Sequence, residues 1–286
     1  MSLETAWSEP AQGVLVRQSR AYWMNSTVLL RDGHAVVVDA GVLPSEMREI
    51  AARVAEGAPR FENVALVFTH PHWDHVLARP WFPAATTVAH AGFADEADAA
   101  DIEAKAKRWI EGAGEPWPRP FAAFTPDLVV RGTASLPLGP FQLVSHDVPG
   151  HSASQIALFE PASGTFLAAD MLSDIEIPWL AAPAWVYLAT LKALQVVFEH
   201  EEVRALVPGH GPIAYGRHDA YRRLLRDFDY LTRLDGAVRE VHARGGTLEE
   251  AQAACAGMDY TGRDAAYAMN DVHARNVRFT WEGLVG

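Results

Sequence analysis

The hydrophobic positions of the chain fall into short runs bounded by polar residues, Gly or Pro. Runs of this length, rich in β-branched and bulky residues, predict β-strands. The pair Asp32-Gly33 between two of the runs is a strong hairpin signal. The predicted strands cover residues 13–17, 26–31, 35–39, 64–68, 128–131, 141–148, 155–160, 165–169 and 204–207.

Helical spacing separates several of these strands and dominates after residue 216. Met47, Ile50 and Val54 recur at the three- and four-residue intervals of an amphipathic helix. Thr247 and Glu250 form a capping-box pattern that opens a further helix. The predicted helices cover residues 44–56, 93–110, 189–199 and 219–243.

Strands that alternate with helices are typical of an α/β domain. We therefore predict an α/β domain with two sheets and outer helices over residues 1–216. A helical C-terminal extension, packed on that domain, is predicted over residues 217–286. In this extension His273 and Asn276 share a helix face. We expect this face at the surface or in a dimer contact, with the rim of the substrate pocket as the alternative.

The chain is acidic, with a formal net charge of −12. This charge repels polyanions, so we expect no nucleic-acid partner. The most basic stretch alternates Arg with Asp, a pattern typical of a solvated helix face. Its charged residues are Arg217, Asp219, Arg222, Arg223, Arg226, Asp227 and Asp229.

Cys255 is the single cysteine, which excludes an internal disulfide and a cysteine-based zinc site. The first ten residues resemble no signal peptide, and no apolar run has the length of a membrane span. We therefore expect a cytoplasmic protein with no membrane partner. The aromatic residues Phe279 and Trp281 near the C-terminus are compatible with a homodimer.

Residues 69–75, Thr-His-Pro-His-Trp-Asp-His, concentrate three imidazoles and one carboxylate directly after the predicted strand 64–68. Pro71 prevents regular structure, so the motif is expected on a loop at the end of that strand. Neutral imidazoles and carboxylates suit zinc and its neighbours in the first transition row. Asp39 and Thr69 are candidates to fix the orientation of these imidazoles.

Three further polar residues stand where predicted strands end. His151 follows strand 141–148, Asp170 follows strand 165–169, and His210 follows strand 204–207. A single histidine near a loop carries little information. Together with the 69–75 cluster, however, these residues favour one shared metal site.

In these motifs the chain resembles the metallo-β-lactamase superfamily. The HxHxDH motif of that family is similar to His70, His72, Asp74 and His75, and its remaining ligands are similar to His151, Asp170 and His210. The resemblance covers roughly residues 13–216. It implies a four-layer αβ/βα sandwich, here with the helical C-terminal extension.

The resemblance also implies two adjacent metal ions, with iron or manganese as alternatives to two zinc ions. One ion is expected at His70, His72 and His151. The other is expected at Asp74, His75 and His210, with Asp170 bridging the two ions. Such a pair generates a bridging hydroxide at neutral pH, and Asp74 is the expected catalytic proton shuttle. β-Lactamases commonly have Cys at the position of Asp170, so antibiotic hydrolysis is disfavoured.

The loop chemistry favours an uncharged, partly apolar small molecule as substrate. The expected substrate-binding residues are Trp73, Trp179, Trp185 and Tyr187, with Trp117 and Phe121 as further candidates for an apolar pocket. No tyrosine follows Asp170 closely, as it does in lactonases of the family. No basic cluster matches the glutathione-binding residues of glyoxalase II-like thioesterases.

The sequence thus predicts a metal-dependent hydrolase that cleaves a carboxylic ester-type bond in a thioester, a lactone or an ester. The first alternative is a mononuclear iron enzyme of the persulfide dioxygenase type, because His and Asp suit iron as well as zinc. A phosphodiesterase and a non-catalytic metal-bound module are further alternatives. The acidic charge disfavours the phosphodiesterase, and the complete ligand set disfavours the non-catalytic module.

Overall fold

The computed structural model describes residues 7–117, 120–260 and 269–286. Its first sheet has the order β1-β2-β3-β4-β5-β6-β7. Neighbouring strands are antiparallel from β1 to β4 and parallel from β4 to β7. The strands are β1 (Trp7–Ala11), β2 (Val14–Gln18), β3 (Asn25–Arg31), β4 (His34–Val38), β5 (Val64–Val67), β6 (Thr86–His90) and β7 (Leu128–Val130).

The second sheet has the order β13-β12-β11-β10-β9-β8. Only β11 and β12 pair in parallel within it, and the other neighbours are antiparallel. Its strands are β8 (Ala134–Leu138), β9 (Phe141–Asp147), β10 (Ile156–Glu160), β11 (Thr165–Leu167), β12 (Ala205–Val207) and β13 (Ala214–Tyr215).

Helices cover the outer faces of both sheets. A buried apolar cluster between the sheets joins residues such as Val36 of β4 and Leu158 of β10. A second cluster packs α1 and α3 on the first sheet, and a third packs α4 to α7 on the second. The helices are α1 (Pro44–Gly57), α2 (Phe93–Glu96), α3 (Ala99–Gly112), α4 (Ala184–His200), α5 (Gly216–Ala243), α6 (Leu248–Cys255) and α7 (Met269–Val285).

The layers therefore run helix, sheet, sheet, helix, as the resemblance implies. The predicted hairpin is confirmed, since Arg31 pairs with His34 and both Asp32 and Gly33 have positive φ. The predicted capping box is also confirmed, with reciprocal hydrogen bonds between Thr247 and Glu250. In the described residues no helix is long and apolar enough to cross a membrane.

Several predicted boundaries are wrong. Residues 93–110 form two helices rather than one, because Asp98 is extended and caps α3 by accepting bonds from the amides of residues 100 and 101. Helix α4 begins five residues earlier than the predicted 189, just after Pro183. Strands β1, β6, β8 and β13 were not predicted. β8 contains Pro137, which lies on an edge strand of its sheet.

The basic stretch at the start of α5 is not a solvated helix face. Arg223 and Arg226 have 1% and 9% of their surface exposed, and both pair with the buried Asp174. The exposed Arg222 also reaches Asp174, at 3.4 Å. A buried charge requires a partner of opposite charge. The alternation of Arg and Asp along the sequence does not reveal that Asp174, on the loop after β11, supplies this partner.

The surface or dimer face predicted around Asn276 is likewise wrong. Asn276 is completely buried and makes its hydrogen bonds within the chain, to the segment Pro178–Leu180 and to Tyr230. His273 bonds to Tyr230 and to the carbonyl oxygen of Cys255. Helix α7 is therefore an internal support of the second sheet's outer layer.

Candidate metal centre

Four loops meet at one end of the sandwich. Residues 68–75 follow β5 of the first sheet, while His151, Asp170 and His210 follow β9, β11 and β12 of the second. β10 is antiparallel to both β9 and β11, and β12 is parallel to β11, so the carboxyl ends of these three strands share an edge. Two backbone hydrogen bonds tie the loops of the sheets together, from Ile156 N to Thr69 O and from Asn25 N to Gly209 O.

The structure brings all seven predicted metal ligands together in two groups. Within each group the candidate ligand atoms lie within 4.8 Å of one another. The first group is His70, His72, His151 and Asp170, and the second is Asp74, His75 and His210. In the described residues these are the groups whose spacing suits a metal ion. His90 belongs to neither group, and its Nε2 atom lies 3.4 Å from Asp147 Oδ2.

In the first group three imidazole nitrogens face a common centre. His151 Nε2 lies 2.8 Å from His72 Nδ1, and Asp170 Oδ2 lies 3.2 Å from His151 Nε2 and 3.6 Å from His70 Nε2. Such convergence of lone-pair atoms is unfavourable without a cation between them.

In the second group the other oxygen of Asp170 takes part. Its Oδ1 lies 3.1 Å from His75 Nε2 and 3.5 Å from His210 Nε2. Asp74 Oδ2 lies 3.3 Å from the same His210 nitrogen. Asp170 therefore stands between the groups, with one carboxylate oxygen facing each.

Four of the imidazoles are held through their Nδ1 atoms, so each directs its Nε2 atom to the centre. A bond of this kind selects the tautomer whose Nε2 lone pair is free for a metal. The Nδ1 partners are Thr69 Oγ1 for His70 (3.0 Å), Asp39 Oδ2 for His75 (2.9 Å), Trp179 O for His151 (3.2 Å) and Tyr22 O for His210 (2.9 Å).

Asp39 is the hub of this supporting network. Its Oδ1 accepts from the backbone N–H of Thr69 at 2.8 Å, and its Oδ2 accepts from Thr69 Oγ1 at 2.5 Å as well as from His75. Asp39 follows β4 and adopts a positive φ of 48°, which aims its carboxylate across to the loop after β5. The structure thus places both residues where orientation of the imidazoles requires them.

Burial and mutual repulsion keep His70 and His72 in their neutral form. Burial and the neighbouring His75 hold the pKa of His70 well below its usual value. Burial and His151 lower the pKa of His72 to about 3. Burial opposes ionisation of Asp170, but the charges of His75 and His210 hold the pKa of its carboxyl well below the usual range. Neutral imidazole and ionised carboxylate are the metal-binding forms.

The side chains fit a metal. His70 Nε2, His75 Nε2 and Asp170 Oδ1 are buried and have no aligned hydrogen-bond partner. A buried polar atom without a partner in a native fold requires an explanation, and an ion is one. The donor set of imidazoles and carboxylates suits zinc, iron and manganese alike.

Aromatic side chains line two sides of the centre. The ring centroid of Trp179 lies 5.8 Å from that of His151, and Trp179 is 38% exposed. On the other side Trp73 stacks on Trp109 at 6.1 Å, and Tyr22 contacts Trp109 at 4.5 Å. Trp109 was not singled out from the sequence, because its spacing on α3 resembles that of any apolar helix position.

The contacts of two predicted substrate-binding residues, Trp185 and Tyr187, do not face an open substrate cavity. Trp185 carries the guanidinium of Arg239 over its ring at 4.6 Å, on the side of α5, so its contacts lend no support to a role in substrate binding. Tyr187 is completely buried below Gly150 and lines a cavity of about 10 Å³ next to His151. A cavity of this size holds one water molecule, so direct contact between Tyr187 and a substrate is disfavoured.

Glu176 is a residue near the centre that the sequence did not reveal. It lines the same small cavity as His151 and Asp170. Burial raises the pKa of its carboxyl, against the opposing charge of His210. A glutamate six positions after Asp170 in an irregular loop has no recognisable spacing signal.

A larger apolar cavity lies beside the loop that carries Asp74 and His75. Its volume is about 340 Å³, and it begins at Val76 and Leu77, the residues directly after the motif. Trp117 and Phe121, predicted for an apolar pocket, both line it, and Arg79 is the charged residue among its described walls.

Comparison with known proteins places the chain in a structural context. A family model described as "Metallo-beta-lactamase superfamily" matches residues 23–239. A stereoselective inverting sec-alkylsulfatase from Pseudomonas sp. is similar in structure, with a TM-score of 0.72 and 15% identity. The alignment covers 97% of this chain and 50% of the sulfatase, so the chain spans about half of that protein.

Metallo-beta-lactamases have the same fold over a shorter region. The enzyme from Pontibacter korlensis aligns with a TM-score of 0.55 and 16% identity, over 77% of this chain and 98% of the lactamase. The enzyme from Hirschia baltica gives 0.51 and 14%, over 77% and 96%. The comparison with curated proteins gave no match.

Proposed function

The chain belongs to the metallo-beta-lactamase superfamily, whose members are typically metal-dependent hydrolases, and we propose that it is a hydrolase with two metal ions that cleaves a carboxylic ester-type bond. A thioester, a lactone and an ester are the proposed substrate classes. The observation that carries this proposal is the position of Asp170. Its Oδ2 atom faces the first ligand group, and its Oδ1 atom faces the second.

The residues divide the chemistry among them. His70, His72 and His151 would hold one metal ion, Asp74, His75 and His210 would hold the other, and Asp170, which faces both groups, would contribute a carboxylate oxygen to each. Metal bound at these positions supplies a Lewis acid that acidifies water and polarises a carbonyl oxygen. The side chain of Asp74 is 10% exposed. Burial opposes ionisation of its carboxyl, but the neighbouring His75 and His210 outweigh burial and hold the pKa of Asp74 below its usual value. It is the residue proposed to accept a proton and deliver it to the leaving group.

Aromatic walls support a substrate with an apolar part. Trp179 lies beside the rings of His72 and His151, and Trp73, which follows His72 in the motif, stacks on Trp109. The cavity lined by Val76 and Leu77 has room for a hydrocarbon portion. These features favour an apolar acyl or alkyl group over a polyphosphate. Direct contact of Trp73 and Trp179 with the substrate is part of the proposal.

A sulfate ester is the second candidate. The structural likeness to the sec-alkylsulfatase extends over 97% of the chain, whereas the lactamases align with 77%. The C-terminal helices are thus part of the shared architecture, and the apolar cavity would accommodate an alkyl chain as well as an acyl chain.

The test begins with the metal content of protein purified without added metal, measured by elemental mass spectrometry. About two zinc ions per chain would support the proposal, and hydrolysis would then be assayed with thioesters, lactones, esters and alkyl sulfates. A single iron with little zinc would contradict it and favour the persulfide dioxygenase. Oxygen uptake with a glutathione persulfide would then be measured.

Asp170→Ala gives the matching test of the bridge. This variant should lose metal and activity together, because both ligand groups lose a carboxylate oxygen. Full activity with full metal occupancy would exclude the dinuclear site. A cytoplasmic location and a homodimer stay predictions.

A further inference from the structure

The segment Pro178–Leu180 forms one wall of the metal centre. The carbonyl oxygen of Trp179 accepts the Nδ1–H of the ligand His151 at 3.2 Å. The ring of Trp179 lies 5.8 Å from that of His151 and 6.1 Å from that of His72, measured between centroids. The segment therefore orients a ligand with its backbone and lines the site with its side chain.

Helix α7 holds this segment on both sides of Trp179. Asn276 Oδ1 accepts from the backbone N–H of Leu180 at 3.0 Å, and Asn276 Nδ2 donates to the carbonyl oxygen of Pro178 at 2.6 Å. Asn276 is completely buried, so removal of its amide leaves two backbone groups without partners in the interior. The backbone of Trp179 is fixed by these two bonds.

The preceding residue of α7 holds the side chain of Trp179. Arg275 Nε donates to the carbonyl oxygen of Leu180 at 3.2 Å. Its guanidinium lies 4.9 Å from the ring centroid of Trp179 and 4.9 Å from that of Phe279. A cation against the face of Trp restrains the ring.

The amide of Asn276 is itself anchored by the other C-terminal helices. Its Nδ2 lies 3.2 Å from Tyr230 Oη of α5, which contacts His273 Nδ1 at 2.8 Å. His273 Nε2 in turn donates to the carbonyl oxygen of Cys255 in α6 at 2.9 Å. Helices α5, α6 and α7 therefore meet behind the wall of the metal centre.

We infer that helix α7 is a functional part of the metal centre: Asn276 is a positioning residue for the metal ligand His151, and Arg275 is a positioning residue for Trp179. Helix α7 lies beyond residue 239, where the family match ends. The role of Asn276 needs only metal binding. The role of Arg275 in presenting Trp179 to a substrate rests on the proposed function.

The first experiment compares Asn276→Leu with Thr280→Val. Thr280 is equally buried on α7. Its hydroxyl accepts from the backbone N–H of Ala184 at the start of α4 and donates to the backbone carbonyl oxygen of Asn276, so Thr280→Val leaves the side-chain amide of Asn276 and its two bonds to the Trp179 segment in place. Stepwise zinc dissociation constants are measured by chelator competition, with circular dichroism as the check of folding. Asn276→Leu should weaken one of the two constants by about 10–100-fold, the usual effect of losing a ligand's support. Thr280→Val should change neither by more than about 3-fold.

A double-mutant cycle shows whether the effect passes through His151. In a His151→Ala background the loss caused by Asn276→Leu should vanish, because the ligand that it orients is absent. An equal loss in both backgrounds, or no loss in either, would overturn the inference for Asn276. Neither measurement involves a substrate, so failure of the proposed reaction would leave this result intact.

The second experiment compares Arg275→Met with Arg278→Met. Arg275 is half-buried and Arg278 is exposed, so neither variant removes buried core. The guanidinium of Arg278 lies 5.5 Å from the ring centroid of Phe279 and 3.8 Å from Glu282, and it does not contact the Trp179 segment among the described contacts. Tryptophan emission should change for Arg275→Met and not for Arg278→Met. The change should be absent in a Trp179→Phe background. Equal emission changes in both Arg variants, or a change that persists without Trp179, would overturn the role of Arg275.

Discussion

Individual side chains in the metal centre differ in how far the sequence reveals them. The ligands were predictable because three imidazoles and a carboxylate are crowded into residues 70–75 and the rest follow strand ends. Two of their supports, the carbonyl oxygens of Tyr22 and Trp179, were not. Any residue has a carbonyl oxygen, so residue type carries no signal for such a partner.

Asp39→Asn should weaken metal binding by about 10–100-fold, because the amide replaces the carboxylate that holds both Thr69 and His75. Chelator competition measures the change. Asp147→Asn is the matched control, since Asp147 pairs with the non-ligand His90. A similar affinity loss in both variants would point to general destabilisation instead.

Asp227 should make the folded protein less stable as the pH rises. Burial raises the pKa of this carboxyl from 3.8 to about 7, against the opposing charge of Arg226 and the hydroxyl of Tyr260. Between these values the unfolded chain has lost the proton and the folded chain keeps it. Loss of this proton from the unfolded chain therefore lowers the free energy of unfolding by up to about 4 kcal/mol by pH 7, at 1.36 kcal/mol per unit of pKa difference.

Asp227→Asn should remove this dependence, because the amide does not ionise. Urea unfolding of both proteins at pH 4.5, 6 and 8, with chelator present throughout, gives the comparison. As the pH rises, the unfolding free energy of the unmodified protein should fall relative to that of Asp227→Asn. Parallel profiles would show that Asp227 does not titrate as described. Its other charged neighbour is Arg223, which stays protonated over this pH range.

At the scale of single elements, the turn after β12 must approach Asp170 closely. A Cβ on Gly209 would lie 2.0 Å from Asp170 Oδ1, well inside contact distance. Gly209→Ala should therefore displace the bridging carboxylate and lower metal occupancy. Elemental analysis checks this, and Gly236→Ala in α5 is the control because its Cβ would meet nothing within 4 Å. Full occupancy in Gly209→Ala would contradict the described packing.

Buried ion pairs connect helix α5 to the loop after β11. Asp174→Ala would leave Arg223 and Arg226 buried without their carboxylate, a loss typically near 3–5 kcal/mol. Asp229→Ala breaks an exposed pair with Arg233 and should cost less than about 1 kcal/mol. Urea denaturation measures both, and similar small losses would show that the buried cluster adds little.

Elements were predictable where local chemistry decides them. The hairpin at Asp32-Gly33 and the capping box at Thr247 depend on neighbouring residues alone. The interior face of α5 was not predictable, because its arginines look like surface residues until the loop with Asp174 folds against them. The break at Asp98 within 93–110 was missed because apolar spacing continues on both sides of it.

For the whole molecule, the alternation of strands and helices predicted the α/β class. The four-layer sandwich followed from the resemblance of the ligand motifs to the metallo-β-lactamase superfamily. The role of the C-terminal helices had no such guide. Their contacts with the Trp179 segment join residues almost a hundred positions apart, such as Leu180 and Asn276. Residues so distant cannot be paired from a single sequence.

Removal of metal should lower the melting temperature without unfolding the protein. Metal at a hundred times its Kd stabilises the folded state by about 2.7 kcal/mol, which corresponds to roughly 5–11 °C for a chain of this size. Calorimetry with and without chelator measures the shift. Loss of the whole unfolding transition in chelator would show that folding itself requires metal.

The apolar layer between the sheets has a bearing on how the protein matures. That layer, with Val36 and Leu158 in its middle, contains none of the ligands. The ligands lie on loops, and hydrogen bonds to Asp39 and to backbone carbonyls already aim their rings. We therefore expect a newly synthesised chain to complete its architecture first and take up its ions afterwards. The rate of activation in a cell should then follow the supply of free metal rather than the rate of chain folding.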